Sequence, residues 1–124
     1  MKSEINEIWA TLQGALQELT PTLRVSKDEA QNFEVSGTKP VMQGKKQVPG
    51  HYFASLVPKP KDVRFYFFPI YTHADEFGPL SAELQKALKG KSCFHFKHLT
   101  PEMEAEIQQM LQKGLEIYQR DGLV

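Results

Sequence analysis

The hydrophobic pattern is densest in the middle of the chain, at Val63–Ile70, where six of eight residues are aromatic or β-branched. This composition is typical of a buried β-strand. Because side chains alternate along a strand, Phe65 is expected on one face, and Tyr66 and Phe68 on the opposite face. Pro69 is expected to end the strand, since proline cannot donate a hydrogen bond to a neighbouring strand. The segment therefore predicts a central strand with apolar side chains on both faces.

Apolar residues at helical spacing predict two long amphipathic helices, one near each end of the chain. The first covers Ser3–Leu19, and the hydroxyl of Ser3 is expected to cap its first turn. The second begins after Thr100, where a capping hydroxyl is followed by a proline, and its apolar stripe continues to Tyr118. A shorter helix is predicted at Ala82–Lys89, with Ser81 as its N-cap.

Shorter alternating stretches predict four further strands, at Leu23–Val25, Phe33–Val35, Tyr52–Val57 and Ser92–Lys97. Two prolines separate Tyr52–Val57 from the central strand, which indicates a tight turn and an antiparallel hairpin. The segment Ser36–Gly50 contains three glycines and two prolines, and it therefore predicts a loop with no more than a fragment of edge strand.

The order of these elements predicts a single α+β domain over residues 1–124. Its two terminal helices are expected to pack on one face of an antiparallel sheet and to form a two-layer sandwich. A central strand with aromatic residues on both faces does not suit a sheet that is covered on one face only. We therefore expect the other face to be covered by the loop Ser36–Gly50, the short helix, a second subunit or a ligand.

Charge and cysteine content limit the classes of protein to which this chain is expected to belong. Fifteen Lys and Arg balance fifteen Asp and Glu, which does not favour binding to nucleic acid or to an anionic membrane. No apolar run approaches the ~18 residues of a membrane-spanning helix, and the first residues lack a signal-peptide core. The single cysteine, Cys93, excludes an intrachain disulfide and suits a reducing compartment. We therefore expect a cytoplasmic protein that binds neither nucleic acid nor membrane.

The sheet face away from the terminal helices is the candidate ligand site or interface. Its candidate residues are Tyr66, Phe68, Tyr71, His73, Cys93 and His95. Tyr52 and Phe77 are further aromatic residues that are expected to line a pocket or a contact patch. Aromatic side chains suit both a small-molecule pocket and a protein interface, so the sequence predicts either a small ligand or a homodimer at this face.

Two kinds of reactive chemistry involve Cys93. Together with His95 on the same strand face, and with His51 or His73, it offers ligand types that zinc and copper prefer, although no pair has a standard metal-binding spacing. Cys93 is also the candidate nucleophile of a cysteine-dependent enzyme. A buried thiol that packs as a small hydrophobe explains the same position. Because no phosphate-binding or hydrolase motif is present, the sequence favours a protein without enzymatic activity.

Two stretches, Phe65–His73 and Leu88–Lys97, resemble the YdhG-like domain-of-unknown-function family of small bacterial proteins. In that family, too, a strand that ends at a proline is followed by a Leu-Lys-Gly-Lys helix end, a strand and a C-terminal helix. The resemblance implies a frataxin-like fold and, for one branch of the family, a role in intracellular iron delivery. Iron requires exposed carboxylates, for which Glu4 and Glu7 of the first helix are the candidates.

The sequence thus predicts a binding or interaction domain that uses the sheet face opposite the terminal helices. An intracellular iron chaperone of the frataxin-like type is the alternative hypothesis. A cysteine-dependent enzyme is the third.

Overall fold

A computed structural model describes all 124 residues, from Met1 to Val124. The helices are α1 (Ile5–Gln17), α2 (Pro69–Thr72), α3 (Ala82–Ala87) and α4 (Pro101–Arg120), with a 3-10 turn at Ala74–Glu76. The strands are β1 (Arg24–Glu29), β2 (Asn32–Ser36), β3 (Val41–Gln43), β4 (Lys46–Val48), β5 (Tyr52–Pro58), β6 (Val63–Phe67) and β7 (Cys93–Phe96). None of the helices combines the length and the apolar character that crossing a membrane requires.

Five strands form one antiparallel sheet in the order β1-β2-β5-β6-β7. Strand β6 has a neighbour on each side, so the prediction of a central strand at this segment is confirmed. The predicted hairpin of β5 and β6 is also confirmed, because Pro58 pairs with Val63 directly across the turn. Helices α2 and α3 lie in the connection between β6 and β7.

We call one face of the sheet the inner face, because both terminal helices pack on it. A row of cross-strand partners on this face is fully buried or nearly so, and it consists of Phe33, Leu56, Phe65 and Phe94. The apolar stripe of α1, with Ile8, Leu12 and Leu16, belongs to the same hydrophobic core, as do Met103, Ile107 and Tyr118 of α4. The predicted two-layer α+β architecture is therefore present.

Gly114 allows α4 to approach the inner face closely. A Cβ atom added at this glycine would lie 2.9 Å from Cζ of Phe67 and 3.1 Å from the ring of Phe53. Such spacing is tighter than ordinary contact, so the helix and the two rings fit together only because position 114 has no side chain. The sequence pattern of α4 did not reveal this contact.

Two of the three predicted helix caps are confirmed. Thr100 Oγ1 accepts a hydrogen bond from the backbone N–H of Met103 at 3.1 Å, and Ser81 Oγ accepts one from Leu84 at 3.3 Å. The prediction for Ser3 is wrong, because α1 begins at Ile5 and has no side-chain cap. The preceding residue, Lys2, forms a backbone bridge to Leu99, which keeps this part of the chain extended.

The segment Ser36–Gly50 is more regular than predicted, since it contains the antiparallel hairpin of β3 and β4. A two-residue turn joins the strands, and Gly44 adopts a positive φ of 64° there. Such turns require left-handed backbone, which glycine adopts without steric cost. The central strand is shorter than predicted, because Phe68 already has helical backbone angles and leads into α2.

Candidate functional site

The outer face of the sheet, opposite the terminal helices, is polar in its middle. One row of cross-strand partners on this face is Glu34, Ser55, Tyr66 and Cys93. Each residue of this row is adjacent in sequence to a residue of the buried inner row, as expected for side chains that alternate between faces. This face lies opposite the terminal helices, and polar groups occupy its centre.

The β3–β4 hairpin lies over one end of the outer face and encloses a cleft of about 610 Å³. The floor of the cleft is formed by residues of β1 and β2: Arg24, Ser26, Glu34 and Ser36. The opposite wall is formed by residues of the hairpin: Val41, Met42, Gln43 and Val48. Because Val41 and Val48 are cross-strand partners, their side chains share one face of the hairpin, and this face is turned toward the cleft. The cleft thus has an apolar wall and a polar floor.

The base of the hairpin is held by close backbone contacts. Gly37 donates its backbone N–H to the carbonyl of His51 at 2.8 Å, and a side chain at Gly50 would overlap the Gly37 carbonyl. The carbonyl of Leu123 accepts hydrogen bonds from the backbone N–H groups of Thr38 and Lys39. The end of the chain, just beyond α4, therefore fixes where the hairpin leaves the sheet.

Four aromatic rings form a cluster at the end of the cleft nearest α2, and we call it the outer aromatic cluster. Phe68 is its centre, with ring centroids 5.5 Å from His51, 5.4 Å from Tyr52 and 5.9 Å from Tyr71. Such separations are typical of favourable aromatic pairs. The ammonium group of Lys91 lies 5.2 Å from the Tyr71 ring centroid. His51, Tyr52 and Phe68 line the cleft, whereas Tyr71 is exposed beside it.

Hydrogen bonds connect the outer aromatic cluster to the inner core. The hydroxyl of Tyr118, which is fully buried on α4, donates a hydrogen bond to the backbone carbonyl of Tyr52. His51 Nδ1 lies 2.9 Å from the same hydroxyl oxygen and 3.1 Å from the Tyr52 carbonyl oxygen. Burial raises the pKa of both tyrosines above the ordinary value, because an ionised phenol would lose its hydration. Both hydroxyls therefore remain protonated at neutral pH.

A chain of hydroxyl groups orders the floor of the cleft. Ser26 Oγ donates to the Glu34 carboxylate at 2.7 Å, and it lies 3.0 Å from Ser36 Oγ. Because the single hydroxyl hydrogen of Ser26 points to the charged acceptor, Ser36 must be the donor in the second bond. Both hydroxyl hydrogens are thus used within the protein.

The structure separates the six residues that the sequence predicted as a site. Phe68 lines the cleft and Tyr71 lies beside it, while Tyr66 and Cys93 pair directly across β6 and β7, outside the cleft. Burial raises the pKa of the Cys93 thiol, and the neighbouring Tyr66 hydroxyl opposes this effect only in part. Tyr66 and Cys93 therefore form a separate polar patch farther along the outer face.

The two histidines of the predicted set lie in different environments. His95 faces Arg64 across β6 and β7 and lies 3.9 Å from the Asp62 carboxylate, and burial together with the Arg64 guanidinium lowers its pKa. His73 does not line the cleft, and its Nε2 lies 3.0 Å from Asp121 just after α4. Phe77, a further aromatic candidate, packs against Phe67 of the inner face.

The metal candidates do not converge. Glu4 and Glu7 lie exposed at the start of α1, and no group of three or more His, Cys, Asp or Glu side chains has an arrangement that could hold a metal ion. Hard cations such as iron require several oxygen ligands at once. The two glutamates alone do not supply such a set.

Several cleft residues were not predicted as part of a site. Arg24, Ser26 and Glu34 occupy polar positions of β1 and β2. Irregular pairing of β1 with β2 and of β2 with β5 interrupts the alternation of side chains, so the sequence pattern does not show that they share a face with Tyr52. The sequence signal for the hairpin is Gly44 with its neighbouring lysine, between short stretches that begin or end with valine.

The fold and the cleft together define an α+β domain with a concave, partly apolar site between its sheet and a short hairpin. No protein-family model matches the chain, and neither a curated protein nor a solved structure matches it.

Proposed function

We propose that this protein is a non-catalytic binding domain that holds a small, largely apolar molecule in the cleft between the outer face and the β3–β4 hairpin. The observation that carries the proposal is the cleft itself. Its volume of about 610 Å³ lies within the ~300–1,000 Å³ that is usual for small-molecule sites. Aromatic and aliphatic walls combined with few polar groups are also usual for such sites.

The charges of the cleft favour an uncharged ligand. One guanidinium, from Arg24, and one carboxylate, from Glu34, are the only fully ionised side chains that line it. Their opposite signs leave no excess charge to attract an anion or a cation. Apolar contact with Phe68, Val41 and Val48 would then supply most of the binding free energy.

Binding is favoured over catalysis by the environment of the candidate nucleophile. Cys93 lies outside the cleft, and burial raises the pKa of its thiol. A raised pKa lowers the fraction of thiolate, which is the reactive form. A cysteine-dependent mechanism would require the opposite shift.

We further propose that the architecture is of the frataxin-like type. Support comes from the order of the elements, in which terminal helices α1 and α4 flank an antiparallel sheet and pack on one of its faces. The helices α2 and α3 between β6 and β7 add to this plan.

The proposal is tested with two uncharged bicyclic aromatic probes, indole and benzofuran, titrated into the ¹⁵N-labelled protein. We expect amide shifts at cleft residues, centred on His51, Phe68 and Val48. The variant Val48→Trp should abolish these shifts, because a larger side chain would fill the cleft. The matched control is Gln47→Trp, which places the same side chain at an adjacent hairpin position that does not line the cleft and should leave binding intact.

Binding of neither probe, or equal loss in the two tryptophan variants, would refute the proposal. Sedimentation of the unliganded protein over a range of concentrations separates the proposal from the interface hypothesis. A dimer whose formation broadens the same cleft amides would replace the small ligand with a second copy of the chain.

A further inference from the structure

We infer that the ligand of this cleft is a hydrogen-bond donor that is recognised by Nε2 of His51. The inference rests on the proposed function and adds the chemical class of the ligand. Its basis is the set of hydrogen bonds around His51 and in the floor of the cleft. In these bonds the hydroxyl hydrogens of Tyr118, Ser26 and Ser36 are already donated to other atoms of the protein.

The tautomer of neutral His51 follows from its partners. The hydroxyl of Tyr118 has a single hydrogen, and this hydrogen points to the carbonyl of Tyr52, which can only accept. The contact between His51 Nδ1 and the Tyr118 oxygen therefore requires Nδ1 to be the donor. The carbonyl of Tyr52, 3.1 Å from Nδ1, is a second acceptor for the same hydrogen. With the proton on Nδ1, Nε2 carries a free lone pair.

Nε2 of His51 is unpaired and is not enclosed by the protein. The ring lines the cleft, its Nδ1 side is bound to the protein interior, and Nε2 makes no hydrogen bond within the chain. Asn32 Oδ1 is the one fully enclosed side-chain N or O atom without a partner, so Nε2 of His51 is not enclosed. An accessible lone pair at an apolar wall is an acceptor that a ligand can satisfy.

The polar floor of the cleft, like Nε2 of His51, offers hydrogen-bond acceptors to a ligand. Both hydroxyl hydrogens of Ser26 and Ser36 are used in the bonds that lead to Glu34, and the carboxylate of Glu34 can only accept. The side chains that bring N–H donors to the cleft are Arg24 and Gln43, and both are exposed. Among the cleft side chains that are not exposed, acceptors therefore predominate.

These features select a flat, uncharged molecule that carries N–H or O–H groups, such as an aromatic heterocycle with a ring N–H. A molecule of the same shape with acceptors alone would leave Nε2 of His51 without a partner and would add an acceptor beside the Glu34 carboxylate, whose only side-chain donor is Ser26. Leaving polar groups without partners on binding costs affinity.

The first test reads the tautomer directly. We expect the ¹⁵N spectrum of the His51 ring, recorded above the pH at which histidine is charged, to show hydrogen on Nδ1 and none on Nε2. The opposite tautomer would overturn the inference, and this readout needs neither a ligand nor a variant.

The second test compares indole with benzofuran, which differ only in a ring N–H replaced by oxygen. We expect indole to bind about threefold to tenfold more tightly, the usual worth of one hydrogen bond. The variant His51→Phe keeps a ring in the outer aromatic cluster but has no acceptor, so it should remove the preference. The variant His51→Gln retains an acceptor oxygen and should restore part of it.

The outcomes distinguish this inference from the proposed function. If the two probes bind equally well to the native protein, the cleft binds small molecules but the inference is wrong. A preference for indole that persists in His51→Phe also overturns the assignment to His51. If neither probe binds, the proposed function fails and the inference fails with it. Unfolding midpoints of both variants near that of the native protein verify that the fold is intact.

Discussion

The inner and outer faces of the sheet differ although their residues alternate along the same strands. Phe65, on the inner face, is almost completely buried, while Tyr66, the next residue, is half-buried on the outer face. Across the sheet the inner row is entirely apolar, whereas the outer row contains a carboxylate, two hydroxyls and a thiol. The inner face therefore stabilises the fold, and the outer face is available for binding.

Aromatic residues on both sides of a strand therefore need not form two equal cores. The outer aromatic residues carry polar groups that lie next to polar neighbours: Tyr52 is hydrogen-bonded to Ser55, and Tyr66 lies directly across the strands from Cys93. A tyrosine at the surface can pack its ring against neighbouring side chains while its hydroxyl contacts a polar group or water. Partial exposure therefore costs less free energy for tyrosine than for a fully apolar residue. Only Phe68 is fully apolar, and it lies at the cleft.

The comparison predicts its largest effect for a pair of adjacent substitutions. Phe65→Ala should reduce the free energy of unfolding by about 3–5 kcal/mol, since it leaves a cavity in a close-packed core. Tyr66→Ala should cost only about 1 kcal/mol, as is usual for a partly exposed side chain outside the core. Urea denaturation of both variants measures the difference. Similar losses in the two variants would mean that the faces are energetically equivalent.

A smaller effect is expected at Tyr118, which connects the inner core to the cleft. Tyr118→Phe removes the donor to the Tyr52 carbonyl and should cost about 1–2 kcal/mol at neutral pH. Because burial raises the pKa of Tyr118 and of Tyr52, the folded state keeps protons that the unfolded state loses above its ordinary pKa of 10.0. Stability is therefore complete below pH 10 and should fall above it.

Each such tyrosine should contribute a decrease of about 1.4 kcal/mol per pH unit above that value. In Tyr118→Phe one contribution is absent, so the alkaline decrease should be shallower by about that amount per pH unit. Equilibrium unfolding at a series of pH values measures both slopes. Identical slopes would show that Tyr118 is not protected from ionisation.

The smallest effect is expected for Cys93 on the outer face. Since burial raises the pKa of its thiol, alkylation by iodoacetamide at pH 8 should be slower than that of a free cysteine derivative. In denaturant the two rates should become equal. A folded-state rate above that of the free thiol would restore the hypothesis of a catalytic cysteine.

Much of the fold follows from local patterns. The apolar stripes of α1 and α4, the caps at Ser81 and Thr100, and the alternation in β5 and β6 are each visible within a short window of sequence. The start of α1 was mispredicted because a distant bridge, Lys2 to Leu99, controls it. The β3–β4 hairpin was missed because its strands are only three residues long and largely exposed.

The candidate site was less accessible to sequence reasoning. The sequence pattern predicts Phe68 and Tyr52 at a pocket or a contact patch, and both residues line the cleft. The sequence placed Tyr66, Cys93 and His95 on the same face, but the cleft lies at another part of it. His51 was considered only as a metal ligand, since its bonds to Tyr118 join residues far apart in the chain.

The two amphipathic helices, the central strand and its buried face follow from local sequence patterns alone, because helical and strand periodicity act over a few residues. The tertiary structure decided where the hairpin lies over the outer face, because Gly37, Gly50 and Leu123 meet only after folding. The tautomer of His51 also depends on the tertiary structure, because it is set by the hydroxyl of Tyr118, which α4 places beside His51 Nδ1. Contacts between distant segments have no local signal in the chain, and they are what form the cleft.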